Sequence, residues 1–267
     1  LYHPVNPVNP IDPASAKNAV RSAFGANAAA YAISKVHAQG ASLQRLVELA
    51  QPQPHWRALD VATAAGHTAF AVAPHVARVI ATDITPEMLA EGRKLAAAKS
   101  IVNVTFETAD AEALPYPAGS FELVTCRIAP HHFPNVAAFV AECFRVLTPG
   151  GLCLVVDNVA PAGPVGEQVD AFERLRDPSH IHCLSSEAWV ALFVEAGFTQ
   201  LQWEEAPKLL EFDDWADRMQ VTGERRATLR TLIATGPGSE TFLRVHEREG
   251  KLHFFLSEMI LAAHKPS

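Results

Sequence analysis

No Cys-x-x-Cys pair, no run of basic side chains and no apolar stretch of membrane-spanning length occurs in the 267 residues. The four cysteines, Cys126, Cys143, Cys153 and Cys183, are scattered, and all but Cys183 sit in apolar segments. That distribution excludes a disulfide framework and a zinc-finger type of scaffold, and it reads as reduced core residues. A membrane helix needs about 20 apolar residues in a row, and without one, or a recognisable signal peptide, a cytoplasmic protein with no membrane insertion is expected. Lysine and arginine total 22 against 29 acids, for a net charge of −7. A broad nucleic-acid footprint needs the opposite balance, clustered on one face. A small-molecule partner is expected, and no nucleic acid.

With 49% apolar and 19% charged residues, the chain can fill a core of ordinary globular proportions. Residues 1–13 carry Pro4, Pro7, Pro10 and Pro13 at a spacing of three, which predicts an extended arm with no core of its own. Such an arm can pack on a second subunit, so a homodimer is compatible with the sequence. Residues 14–267 read as a single domain. From 14 to 50 the pattern is helical, with Leu43, Leu46, Val47 and Ala50 at i, i+3, i+4 and i+7. Between 56 and 157 short apolar runs alternate with amphipathic stretches. The runs are Trp56–Ala62, Ala77–Asp83, Val102–Thr108, Phe121–Arg127 and Gly151–Asp157. Continuous apolar strands separated by helices predict a doubly wound α/β fold with a mostly parallel sheet covered on both faces.

In T-P-E-M-L, Thr85 is expected to cap a helix that Pro86 opens. Residues 158–185 read as loop, Ser186–Ala196 as a helix ended by Gly197, and Thr199–Glu205 and Leu252–Ala262 as strands. Leu209 to about Gly238 reads as broken helix. Trp189, Phe193, Phe198, Trp203, Phe212 and Trp215 are expected in the core, with Phe212 and Trp215 also able to wall a pocket.

The chemistry concentrates at strand ends. The first strand runs into Asp60-Val61-Ala62-Thr63-Ala64-Ala65-Gly66, a turn of small residues that lets a ligand approach the backbone. The second strand ends in Asp83, placed to accept hydrogen bonds from ribose hydroxyls. The third ends in Thr108-Ala109-Asp110-Ala111-Glu112, where a carboxylate suits an exocyclic adenine amine. Together these point to a nucleoside-containing ligand.

The segments LDVATAAGHT, ATDITPEML, ADAEALPYPAGSFELVTCR, APHHFPN and FRVLTPGGLCLVVD resemble the class I S-adenosylmethionine-dependent methyltransferases, in the branch that includes the ubiquinone/menaquinone-biosynthesis enzymes. The resemblance implies a seven-stranded sheet, an N-terminal helical lid over residues 14–50, a cofactor-binding core over 56–157 and acceptor-pocket insertions over 158–267. It implies S-adenosylmethionine as cofactor and methyl transfer to a small acceptor, with an apolar or aromatic one in view. Asp60 and Gly66 would lie at the methionine end, Asp83 at the ribose and Asp110 at the adenine amine. Ala62, Ala64, Ile84, Met88, Ala111, Glu112 and Arg127 would line the cofactor. His131 and His132 either face the acceptor as catalytic groups or cap their loop. Tyr31 and His37 on the lid and His180 in the insertion would face the substrate. His180 and His182 carry no spacing that demands a metal, and none is assigned.

The family loop is D-x-G-x-G-x-G, and alanine replaces its first two glycines here. Where those glycines need φ > 0, alanine costs about 1 kcal/mol or more. Two alternatives therefore stay open: non-methyl chemistry such as cyclisation at the same cofactor site, and a non-catalytic binding protein that has lost the cofactor.

Overall fold

Apolar residues on both sides of each central strand force a sheet that is covered twice. In the computed structural model, which describes residues 12–32 and 40–267 (the side chains of 30–32 aside), β1 (Arg57–Val61) lies between β2 (Arg78–Asp83) and β4 (Phe121–Arg127). Leu59 and Val61 point into one core layer, with Phe139 and Trp189, while Ala58 points into another, with Phe70, Leu89 and Phe106. β3 (Val104–Thr108) pairs with β2, and β5 (Leu147–Val159) with β4, all parallel. β8 (Lys251–His264) then runs antiparallel beside β5, and β6 (Thr199–Glu211) antiparallel beside β8. The path is β3-β2-β1-β4-β5-β8-β6, with the three-residue β7 (His246–Arg248) added along β8. The strand order reverses between β1 and β4, where such sheets open a crevice at their carboxyl ends.

The helices follow from their apolar spacing. α1 (Pro13–Ala32) buries Ala16 and Ala28, and α2 (Ala41–Ala50) buries Leu43, Leu46 and Ala50. α3 (His67–Val72), α4 (Pro86–Ala98) and α5 (Val136–Val146) are the crossover helices. Asn135 caps α5 by accepting from the Ala138 amide at 3.0 Å. Beyond β5 come α6 (Pro164–Arg176), α7 (Ser186–Glu195), α8 (Phe212–Asp217) and α9 (Gly223–Thr235). The ends of β6 and β8 carry a third apolar cluster around Phe172, Phe212, Trp215 and Phe254, apart from the two sheet layers.

Several expectations need correction. Residues 158–185 hold a full helix, α6, whose apolar face of Val169 and Phe172 is interrupted by buried Gln168, Asp170 and Glu173. Those polar positions hide the helical period. Leu209–Glu211 belongs to β6, which is 13 residues long. Trp203 is 48% exposed because its strand lies at the sheet edge. Pro13 opens α1; residues 1–11 of the expected arm lie outside the described residues. Thr85 precedes α4 without a side-chain cap; its backbone amide instead donates to Asp83 Oδ1 at 2.8 Å. Gly197 does take the left-handed conformation, at φ +97°.

Candidate active site

The β1 carboxylate is committed before any ligand arrives. Asp60 is buried and accepts from Thr63 Oγ1 at 2.5 Å, Thr125 Oγ1 at 2.7 Å and the Ala69 amide at 3.1 Å. Burial pushes its pKa up to about 6, against those three donors and the nearby Arg127 charge. These bonds pin the loop between β1 and α3 at both ends. Within it Ala62 and Ala64 stand at φ +53° and +50°, and Gly66 at +92°. An L-residue costs about 1–2 kcal/mol in this region, so the loop keeps a glycine-type path despite its two alanines. At Gly66 a Cβ would lie 3.0 Å from the rings of Phe106 and Phe70. The glycine that remains is the one with no room for a side chain.

That curl opens a cleft of about 120 Å³. Asp60, Ala62, Ala64, Asp83, Ile84, Met88, Asp110, Ala111, Glu112 and Arg127 all line it. Gly66 shapes it through its backbone, and His67 lies beside it at the start of α3. Asp83 accepts the Ala64 amide at 2.9 Å on one oxygen and the Thr85 amide on the other. Its pKa is raised by burial, which those amides oppose. A carboxylate has about four acceptor sites, and the Thr85 hydroxyl and Ile84 amide also reach Asp83, so vicinal hydroxyls would share it with the chain's own donors. Asp110 lines the same cleft, its Oδ1 accepting the Glu112 amide at 3.0 Å. The donor set a nucleoside presents fits these acceptors, and the small residues at 62–65 leave the backbone open.

α1 roofs the cleft with Lys17, Val20 and Phe24. Lys17 Nζ bridges Asp110 Oδ2 at 2.7 Å and Glu112 Oε2 at 2.6 Å, and Phe24 meets His132 edge-on with ring centroids 5.1 Å apart.

A second cavity, of about 290 Å³, lies past the carboxyl end of β4 and at the end of β5. The two cavities share Phe24, Ile128 and His132 as walls. His131, His132 and His180 all border the second one, with ring centroids 4.2 Å apart for His131–His132 and 5.5 Å for His131–His180. The turn Pro130–His132 presents the first two. His131 Nδ1 donates to Asp157 Oδ1 at 2.5 Å. Burial alone would lower the His131 pKa, but the Asp157 charge and hydrogen bond outweigh it and raise it. His132 is the opposite case: burial, then the charge of His131, push it well down. Its Nδ1 faces the Ser179 carbonyl oxygen at 3.0 Å and the Ser179 hydroxyl at 3.2 Å, so it serves as a neutral wall.

His180 faces the second cavity while its Nε2 bonds Asp170 Oδ1 at 2.8 Å. Asp170 also accepts from the Cys183 amide at 2.9 Å and is paired with His182 Nδ1. Burial opposes ionisation of Asp170, yet the His180 and His182 hydrogen bonds hold its pKa far below the usual range. Asp170, His180 and Cys183 bring one ligand-type atom each within 4.8 Å of the others. The carboxylate between them is already filled by hydrogen bonds that fold the 177–183 loop, so the cluster acts as a structural hub. The Ile181 and His182 amides donate to the His131 carbonyl at 2.9 and 3.2 Å, which ties that loop to the Pro130–His132 turn.

Of the predicted site residues, the cleft thus gathers the cofactor set, while His131 and His180 border only the second cavity. His37 and the Tyr31 side chain lie outside the described residues. Trp215 walls the second cavity as expected, and Phe212 lies in the cluster beneath it. Sequence reasoning missed Lys17, Phe24 and Asp157. Asp157 carried the same signal as Asp83, an acid at the end of an apolar strand; Lys17 carried none. The second cavity is also more polar than an apolar acceptor requires, with Glu173, Arg176, Asp177 and Lys208 in its walls.

Residues 58–151 match the family described as "Methyltransferase domain". The chain is 36% identical over 244 residues to the uncharacterized methyltransferase YcgJ of Bacillus subtilis, covering 89% of this chain and 95% of that protein. The crystal structure of YcgJ superposes with a TM-score of 0.81 at 32% identity, over 85% of this chain and 98% of YcgJ. Demethylmenaquinone methyltransferase of Deinococcus radiodurans is 40% identical over 109 residues, which is 40% of this chain and 44% of that enzyme. No helix among the described residues is long and apolar enough to cross a membrane. A glycine-type loop over Asp60, an acid ending β2 and the match to YcgJ along its length lead to one statement: this chain belongs to the class I S-adenosylmethionine-dependent methyltransferases, an enzyme family with S-adenosylmethionine as cofactor.

Proposed function

We propose that the methyl group passes to an N–H or O–H group of a small molecule held in the second cavity, with His131 as the general base. The observation that carries this is the His131–Asp157 pair on the wall of a cavity that meets the cofactor cleft at His132. Bound S-adenosylmethionine supplies an electrophilic methyl on a sulfonium. Asp83 would accept the ribose hydroxyls, Asp110 the adenine amine, and the Ala62–Gly66 backbone would lie against the methionine end. Ile84 and Met88 would pack against the base.

On the acceptor side, Asp157 fixes the His131 tautomer by accepting the hydrogen bond from Nδ1–H. Nε2 is then left as the basic nitrogen on a ring that borders the cavity. As the acceptor atom gains the methyl, its proton moves to His131 Nε2, and Asp157 stabilises the resulting imidazolium. Neutral His132 and Phe24, walls common to both cavities, would help to exclude water from the reacting atoms.

The test is single-turnover methyl transfer, followed as S-adenosylhomocysteine, in wild type and His131→Gln, with cofactor affinity measured in parallel. A positioned base contributes roughly 10²–10⁴-fold, so His131→Gln should lose rate on that scale while binding cofactor normally. Asp83→Ala should instead lose cofactor binding. Unchanged turnover in His131→Gln would sink the assignment. The alternative of non-methyl chemistry gains no support from these residues, because a base facing the acceptor is what an N–H or O–H methyl acceptor needs.

A further inference from the structure

The second cavity is walled by ionisable side chains whose remaining hydrogen-bonding capacity is mostly of one kind. Its three acids are already used. Glu173 accepts from Arg176 Nη1 at 2.9 Å, and Asp177 accepts from the Ser179 amide at 2.9 Å and its hydroxyl at 2.6 Å. Asp217, largely exposed, is held by Arg226 at 2.5 Å. The cations keep donors to spare. Arg176 uses Nη1 for Glu173 and Nε for the Trp215 carbonyl at 3.3 Å, and its guanidinium carbon sits 4.5 Å over the Trp215 ring. Lys208 donates to Glu258 at 2.5 Å, which occupies one of three ammonium hydrogens. Guanidinium and ammonium groups accept nothing, so a ligand beside them must bring acceptor oxygens.

A different atom asks for the reverse. Asn158 follows Asp157 at the end of β5, and its Oδ1 is buried with no hydrogen-bond partner among the described residues. A buried acceptor without a donor is costly. The N–H or O–H of an acceptor molecule is the group that would satisfy it, on the same strand end that orients His131.

We infer that the acceptor is a small anionic molecule, carrying a carboxylate or phosphate that faces Arg176 and Lys208 and an N–H or O–H nucleophile that faces Asn158 and His131. This rests on the second cavity being the acceptor site, as proposed above. It departs from the apolar or aromatic acceptor that the sequence suggested, because an apolar molecule there would leave the spare donors of Arg176 and Lys208 and the Asn158 oxygen desolvated and unsatisfied.

The experiment uses the full chain saturated with S-adenosylhomocysteine and reads tryptophan fluorescence, with Trp215→Phe identifying the signal from the cavity wall. The probes are 4-hydroxybenzoate, phenyl phosphate, the neutral 4-hydroxybenzamide and the apolar 1-naphthol. At least one anionic probe should bind about tenfold or more tighter than 4-hydroxybenzamide, and 1-naphthol should be weakest. The preference between 4-hydroxybenzoate and phenyl phosphate tells carboxylate from phosphate. Because Arg176→Met strands buried Glu173 and Lys208→Met strands buried Glu258, each is made together with the matching change, Glu173→Gln or Glu258→Gln. Each variant should erode the anion preference without changing affinity for S-adenosylhomocysteine. The inference is overturned if the neutral or apolar probe binds as tightly, if no probe binds, or if the preference survives both substitutions. It fails separately from the base assignment. A neutral probe methylated with a His131-dependent rate removes the anion preference alone. An anionic probe methylated at full rate by His131→Gln removes the base alone.

Discussion

Restoring the two missing glycines should stabilise this enzyme, which is the reverse of what glycine does at most positions. Ala62 and Ala64 sit at φ +53° and +50°, where an L-residue is disfavoured by about 1–2 kcal/mol. Replacement by glycine removes that strain but returns about 0.4–1 kcal/mol of backbone freedom to the unfolded chain. The net gain is about 0.5–1 kcal/mol per site, and about 1–2 kcal/mol for Ala62→Gly/Ala64→Gly together. In a domain of this size that is a rise in Tm of about 3 °C. Two control variants separate backbone strain from crowding. Gly119 has φ +69° with nothing within 4 Å of a built Cβ, so Gly119→Ala should cost only the conformational term, about 1 kcal/mol. Gly66→Ala adds contact at 3.0 Å with Phe106 and Phe70 and should cost about 2–3 kcal/mol. Differential scanning calorimetry gives the four stabilities, and titration calorimetry with S-adenosylmethionine gives the affinities. Cofactor affinity should hold or tighten in the double glycine variant, since two Cβ atoms leave the cleft, and fall in Gly66→Ala. A double variant less stable than wild type would refute the strain argument.

Three further outcomes follow from the site. The folded-state pKa of His131 is raised by Asp157, so this pair adds stability that is complete below about pH 6.5 and is lost as pH rises through the raised value. The catalytic rate should increase over that same rise, and Asp157→Asn should move its inflection to lower pH; a profile indifferent to Asp157→Asn would contradict the base role. Asp60→Asn keeps the volume but offers one acceptor oxygen to three donors, Thr63, Thr125 and Ala69. It should cost about 2 kcal/mol in denaturant unfolding and weaken cofactor binding. Lys17→Met leaves Asp110 and Glu112 without the cation that draws α1 onto the cleft, and stopped-flow should show faster release of S-adenosylhomocysteine; an unchanged rate would mean the roof holds without it.

The centre of the parallel sheet was legible because β1, β2 and β4 are largely apolar and end at or beside a residue that stands out, Asp60, Asp83 or Arg127. The gathering of the expected cofactor residues around one cleft was legible for the same reason, since strand ends fix side chains by their backbone. Legibility failed where burial and polarity coincide. α6 hides Gln168, Asp170 and Glu173 in its interior face, and the 3.6-residue period disappears under them. The polarity of the second cavity was not legible either, since its ionisable walls come from distant segments and show no local pattern. His131 and His132 are adjacent and chemically identical in the sequence. Only the partners, a carboxylate for one and a carbonyl for the other, give them opposite proton affinities.

One further property concerns how the two cavities are distributed along the chain. No wall of the cofactor cleft comes from beyond Pro134, whereas most walls of the second cavity begin at Asn158 and run to Leu256. The family match ends at residue 151, before that second group starts. If the second cavity holds the acceptor, as proposed, donor and acceptor are encoded largely in consecutive stretches, and the family match falls mainly on the first. A hybrid enzyme joined within β5 would be expected to inherit its methyl donor from one parent and its choice of recipient from the other.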